Sequence, residues 1–164
     1  MSPQISVFTM ARLMDAPIDK VWDAWTQAEK LGKWFSPAGV KSVHSKLDLR
    51  AGGSYHYGLE NPNGSRYWGR WIILDVKPKT KLEFIVSFSD EKMGVQRHPL
   101  APTWPAETHS TILFRPAGEK TGVEVQWKPH NASPEEIATF NAGLAGMKGG
   151  WSGTFDQLTA FLKT

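Results

Sequence analysis

The chain has 164 residues, 40% of them hydrophobic and 21% charged, with a formal net charge of +3, a composition that fits one globular domain over residues 1–164 and excludes a disordered chain. The absence of Cys excludes a disulfide framework, a thiol nucleophile and a thiolate metal site, and agrees with a reducing, cytoplasmic setting. No apolar run approaches the roughly 18 residues needed to cross a bilayer, MSPQISVFTMAR carries no export signal, and the basic run KPKTK at 77–81 reads as a solvated turn, so neither membrane nor nucleic acid is an expected partner.

Residues 5–13, ISVFTMARL, alternate in part and predict a strand. Asp15 is placed to cap a short helix with Pro17 in its first turn and Ile18, Val21, Trp22 and Trp25 on one apolar face. Thr26 is expected to cap a second short helix ending near Lys33, ahead of Trp34, Phe35 and Pro37. From about residue 39 the period becomes two and strand signals alternate with turn signals. VKSVHSKLDL and SYHYGLE flank AGG at 51–53, where Gly52 and Gly53 suit a hairpin, and NPNG at 61–64 precedes RYWGRWIILDV. KPKTK then leads to LEFIVSFS, and HSTILFRP is joined by AGEK to TGVEVQWKP. The count is about six strands here and about seven with the first, in an antiparallel meander. The connection DEKMGVQRHPLAPTWPAE, residues 90–107, shows no element of its own and reads either as a lid or binding loop or as a surface excursion.

The last segment is a long helix. Ser133, Pro134 and Glu136 form a start signal with a capping box. Ile137, Phe140, Leu144, Met147, Trp151, Phe155, Leu158 and Leu162 fall on one stripe. Unbroken from 134 to 163, such a helix is roughly 45 Å long. Gly143, Gly146, Gly149, Gly150 and Gly153 lie off that stripe, and each costs about 0.8 to 1 kcal/mol against alanine in a helix interior. Three explanations stand side by side. Gly143 and Gly150 leave volume for a ligand beside Met147 and Trp151; the small face admits another element or a second protomer; or the helix breaks near Gly149 and Gly150.

A strand, two short helices, a meander and a long terminal helix make an α+β architecture in which the helix stripe is buried against one face of the sheet. In chain order, DAPIDKVWDAWT, KWFSP, DLRAGG with SYHYGLENPNG, GRWIILDVKPKTKLEF, TGVEVQW and GGWSGTFDQLTAFL resemble the activator of heat-shock protein 90 ATPase homologue family, a branch of the START-like (SRPBCC) superfamily. The resemblance covers nearly the whole chain. It implies the helix-grip fold, a curved antiparallel sheet wrapped around the C-terminal helix with an apolar cavity between them. Two departures stand out: Trp127 occupies a place where the family often has His, and the 90–107 connection is longer and richer in proline than usual.

Within that fold, strand parity assigns the cavity lining. Tyr55, Tyr57 and Leu59 face inward and Ser54, His56 and Glu60 outward. The next inward sets are Leu82, Phe84, Val86 and Phe88, then Ile112 and Phe114, then Val123, Val125 and Trp127. Trp68 and Trp71 cannot be placed, because both parities of that strand are bulky. The residues expected to contact a ligand are Tyr55, Tyr57, Leu59, Phe84, Val86, Phe88, Phe114, Trp127, Met147, Trp151 and Phe155.

No metal or cofactor is expected, since His44, His56, His98, His109 and His130 show no metal-ligand spacing. Glu107 and His109 either share a face or form a solvated loop end, and no G-x-S-x-G marks a serine nucleophile. Arg50 either meets an anionic ligand group or pairs with Asp48. The leading expectation is a carrier of a small hydrophobic molecule, monomeric or homodimeric. Two alternatives come from the resemblance: an enzyme of cyclase, dehydratase or hydrolase type using the same cavity, and a heat-shock protein 90 co-chaperone in a stress response.

Overall fold

The computed structural model describes residues 3–36, 39–98 and 101–164; Pro37 and Pro99 of the sequence reading lie outside them. The chain runs β1 (Phe8–Met14), α1 (Ile18–Thr26), α2 (Ala28–Trp34), β2 (Lys41–Leu47), β3 (Ser54–Glu60), β4 (Arg66–Lys77), β5 (Lys81–Ser89), β6 (Val95–Gln96), β7 (Glu107–Ala117), β8 (Lys120–His130), α3 (Pro134–Ala142) and α4 (Leu144–Leu162). The sheet has eight strands, in the order β1-β8-β7-β5-β4-β3-β2 with β6 on β5. The strand beyond the expected count of about seven is β6, which sits inside the 90–107 connection.

Every pairing is antiparallel, which for the hairpins β2–β3, β3–β4, β4–β5 and β7–β8 follows from the short turns that join them. Gly52, with φ of +83°, turns the chain between β2 and β3. Its N–H donates to the Ile73 carbonyl, and the Ile73 N–H donates to the Gly53 carbonyl, so this turn is pinned to β4.

Helix starts depart from the expectation in two places. Pro17 is the N-cap of α1 and no side chain caps it; the Pro17 carbonyl accepts from the Lys20 and Val21 amides, leaving Asp15 no role as cap. Thr26 ends α1 instead of opening α2, and its hydroxyl donates to the Trp22 carbonyl at 2.7 Å. Gln27 takes the N-cap of α2. The apolar face of α1 is as read, with Val21, Trp22, Ala24 and Trp25 buried. Trp22 and Trp25 meet Phe114 edge-on at 5.1 and 6.0 Å, and the Trp34 indole donates to the Ala24 carbonyl at 2.7 Å. These rings plug one end of the sheet.

The terminal segment is two helices. The capping box forms: the Ser133 hydroxyl accepts from the Glu136 amide at 3.2 Å and the Glu136 carboxylate from the Ser133 amide at 2.8 Å. The break falls at Gly143, with φ of −92° and ψ of 3°, not at Gly149 or Gly150, which are helical. A Cβ on Gly143 would stand 3.2 Å from the Trp104 ring, so a side chain from a distant loop occupies the space at the junction. The 19 residues of α4 span roughly 28 Å, not 45 Å.

Met147, Phe155, Leu158 and Leu162 are the buried side of α4, whereas Cβ atoms added at Gly146, Gly149, Gly150 and Gly153 would meet nothing within 4 Å. Alanine at Gly149 or Gly153 is therefore expected to stabilise the protein by about 0.5 to 1 kcal/mol each, read as a higher urea midpoint at unchanged slope.

Candidate functional site

The register places large and small side chains in rows across the concave face. Tyr55 lies opposite Trp71 and Trp71 opposite Val86. In the next row Ile73 is opposite Phe84, Phe84 opposite Ser110 and Ser110 opposite Trp127. Ser110 and Thr108 are small residues in the middle of an aromatic surface, and Gly143, Gly146 and Gly150 of the helical segment border the same space. Small groups on both sides leave an open cleft of about 680 Å³ between the sheet and α4.

Its walls are rings. Trp71 stacks on Phe84 with centroids 4.0 Å apart and planes 14° from parallel, and Phe35 meets Trp71 and Tyr57 edge-on at 5.3 and 5.8 Å. At the other end Trp127 is 6.1 Å from Trp104 and 6.3 Å from Trp151. The connection from Arg97 supplies part of this wall. The Arg97 guanidinium donates to Glu136 at 2.6 Å, and the Thr139 hydroxyl donates to that of Thr103 at 3.0 Å. These two contacts strap the described residues of the connection to α3.

Of the eleven residues expected to contact a ligand, Tyr57, Phe84, Val86, Phe88, Trp127, Met147 and Trp151 border the cleft. Tyr55, Leu59, Phe114 and Phe155 are buried behind its surface. Tyr55 is covered by the ring of Tyr57, stacked at 5.2 Å, and its hydroxyl lies 3.0 Å from Ser45 Oγ. Phe114 is enclosed by the α1 tryptophans, and Phe155 by Trp151 and the Arg12 guanidinium. Parity gives the face of the sheet but not the depth, which depends on what packs on top. Trp71, Phe35 and Trp104 are cleft residues that parity did not identify. Both tryptophans of β4 border the cleft although they differ in parity: Trp71 shares the row of Tyr55 and Val86, while the Trp68 ring stacks on His56 at 5.2 Å.

The cleft is electrically quiet. Among the described residues lining it there is no Asp, Glu, Lys or Arg, and His98 is the one imidazole. Burial pushes the Tyr57 phenol above its ordinary value, and the neighbouring Tyr55 and Tyr67 phenols push it further, so Tyr57 stays protonated at neutral pH. Burial likewise pushes Tyr55 up to about 12, against the opposing hydrogen bond from Ser45. The indole N–H groups of Trp71 and Trp127 are buried without an acceptor among the described residues.

The other candidates do not line the cleft. His109 pairs with Glu83 at 2.7 Å, not with Glu107, and neither Glu107 nor His109 lines the cleft. His56 Nε2 is 3.1 Å from the Asp90 carbonyl. His44 lies 4.9 Å from His56, and its pKa is lowered by burial first, then by His56 and Lys46. Arg50 pairs with Asp48 at 2.9 Å. Among the described residues no cluster of His, Cys, Asp and Glu could hold a metal, and no helix is long and apolar enough to cross a membrane.

A curved antiparallel sheet gripping a C-terminal helix, with a cleft between them, defines a helix-grip domain of the START-like class. Residues 15–163 match the family model described as "Activator of Hsp90 ATPase homolog 1-like protein". The chain belongs to that family. Sequence comparison with curated proteins finds no match. Solved structures share the fold: a protein of Arthrobacter aurescens has a TM-score of 0.77 at 21% identity, covering 99% of this chain and 92% of its own. A protein of Mycobacterium smegmatis gives 0.74 at 21%, covering 99% and 97%, and the AHSA1 protein of Silicibacter pomeroyi 0.72 at 18%, covering 96% and 98%.

The strap carries a pH signature. The Ser133 amide, then Arg97, hold the Glu136 carboxyl below its ordinary 4.5, so its contribution is complete above that value and is lost as pH falls through the lowered pKa. Glu136→Gln is expected to cost about 1 kcal/mol at neutral pH, with the gap to the parent narrowing as the pH drops below 4.5, measured by urea unfolding across pH.

Proposed function

We propose that the protein binds a small hydrophobic molecule in the cleft between the concave sheet and α4. The observation that carries this reading is an open space of about 680 Å³ bordered by aromatic side chains and by no charged one among the described residues, the composition of a small-molecule site. Tyr57, Phe84, Val86, Phe88, Trp127, Met147 and Trp151 contact the ligand. Tyr55, Leu59, Phe114 and Phe155 hold those side chains from behind.

Binding is favoured over catalysis because the acid-base groups offered to a bound molecule are His98 and tyrosine hydroxyls, with no carboxylate among the described lining residues. An action on heat-shock protein 90 is supported by the family's description alone.

Nile red, an uncharged hydrophobic dye, is expected to gain fluorescence and shift to the blue on addition of the protein. Phenylalanine at Gly146 or Gly150 meets no existing atom within 4 Å at its Cβ and projects beside the cleft. Each substitution is expected to weaken the dye by about tenfold, equivalent to about 1.4 kcal/mol, without lowering the unfolding midpoint. Parent-like dye binding by both folded variants places the dye elsewhere and removes the proposal.

A further inference from the structure

The kind of ring and chain that lines the cleft narrows its ligand. The large aliphatic side chains of the wall are Val86 and Met147, and no Leu or Ile is among the described lining residues. Elsewhere the protein uses both freely: Leu31, Leu82, Ile112, Leu158 and Leu162 are buried in the core. The rings are therefore concentrated where the protein leaves space. The aromatic groups are also spread around that space, with the Trp71–Phe84 stack at one end and Trp104, Trp127 and Trp151 at the other.

Gly146 and Gly150 add a flat border, since no atom lies within 4 Å of a Cβ built at either. A planar molecule can lie along bare helix backbone there with its faces and edges toward the rings. Aromatic pairs in offset or edge-to-face geometry gain affinity beyond the area they bury. A rigid tricycle also has no rotors to freeze, whereas an alkyl chain loses rotamer freedom on binding. Charge argues in the same direction. With no Lys, Arg, Asp or Glu among the described lining residues, a buried carboxylate or phosphate would lose its hydration without meeting a Lys or Arg, and an ammonium without meeting a carboxylate.

We infer that the ligand is a flat, uncharged, ring-based molecule rather than a fatty acyl chain or an organic acid. This rests on the binding proposal and narrows its substrate class.

Equilibrium dialysis of the full chain against three probes tests it: 9-fluorenone, 1-tridecanol with the same number of heavy atoms, and 9-fluorenone-4-carboxylate. The expected result is fluorenone bound about tenfold more tightly than either of the others. Trp151, half-buried at the rim, supplies the control. Trp151→Leu keeps an apolar side chain and removes the ring, so fluorenone is expected to weaken about threefold or more beyond whatever tridecanol loses with the smaller side chain. Trp104→Leu repeats the comparison, and near-ultraviolet circular dichroism confirms that each variant is folded.

Tridecanol or the carboxylate binding as tightly as fluorenone overturns the ligand class and leaves the binding proposal standing. Equal weakening of fluorenone and tridecanol in the folded variants overturns recognition through the rings. Failure of all three probes and of Nile red takes the binding proposal with it.

Discussion

The structure depends on the contact of the apolar side of α4 with the core formed by β1, α1 and α2 on the gripped side of the sheet. Met147, Phe155, Leu158 and Leu162 are buried there, and at about 1.5 to 3 kcal/mol for each large side chain they contribute roughly 6 to 12 kcal/mol before chain entropy. Gly146, Gly149, Gly150 and Gly153 within the same helix cost about 3 to 4 kcal/mol against alanine. Burial is the larger effect, so a helix of poor intrinsic propensity is held in place by what it covers. That surplus allows one flank of α4 to remain small.

The cleft follows from this inequality. Phe155 and Leu158 of α4 are fully buried, whereas Gly146 and Gly150 border the open cleft together with Thr108 and Ser110. Close-packed interiors rarely leave gaps larger than a water molecule, and here small groups on both layers border the opening. The rings around it are held by neighbours behind them: Tyr57 rests on Tyr55, and Trp151 on Phe155. A residue such as Phe155 shapes the space without bordering it.

Arg97 and residues 101–106 join the same system from outside. Arg97 and Thr103 tie it to α3, while Trp104 packs against Trp127 and Phe140 and fills the position beside Gly143. The helix break, the strap and one end of the cleft are thus a single packing unit. Its electrostatic anchor, Glu136, is also half of the capping box that starts α3, so one carboxylate serves both the local start of a helix and a long-range tie.

Local chemistry made much of this readable from the amino acids. Period-two alternation, glycine turns and the Ser133 to Glu136 signal depend on neighbours in sequence, and the strands, the hairpins and the capping box appear where those patterns put them. The aromatic face of α1 and the inward parity of Tyr57, Phe84, Val86, Phe88 and Trp127 were legible for the same reason. Contacts between distant segments decided the remainder. Trp104 packs where the helix breaks at Gly143, the packing of α1 on β7 buried Phe114, and the assembly of the cleft brought both Trp68 and Trp71 to its border. Each outcome depends on which group arrives from elsewhere to occupy a given space, and spacing along the chain carries no record of that arrival.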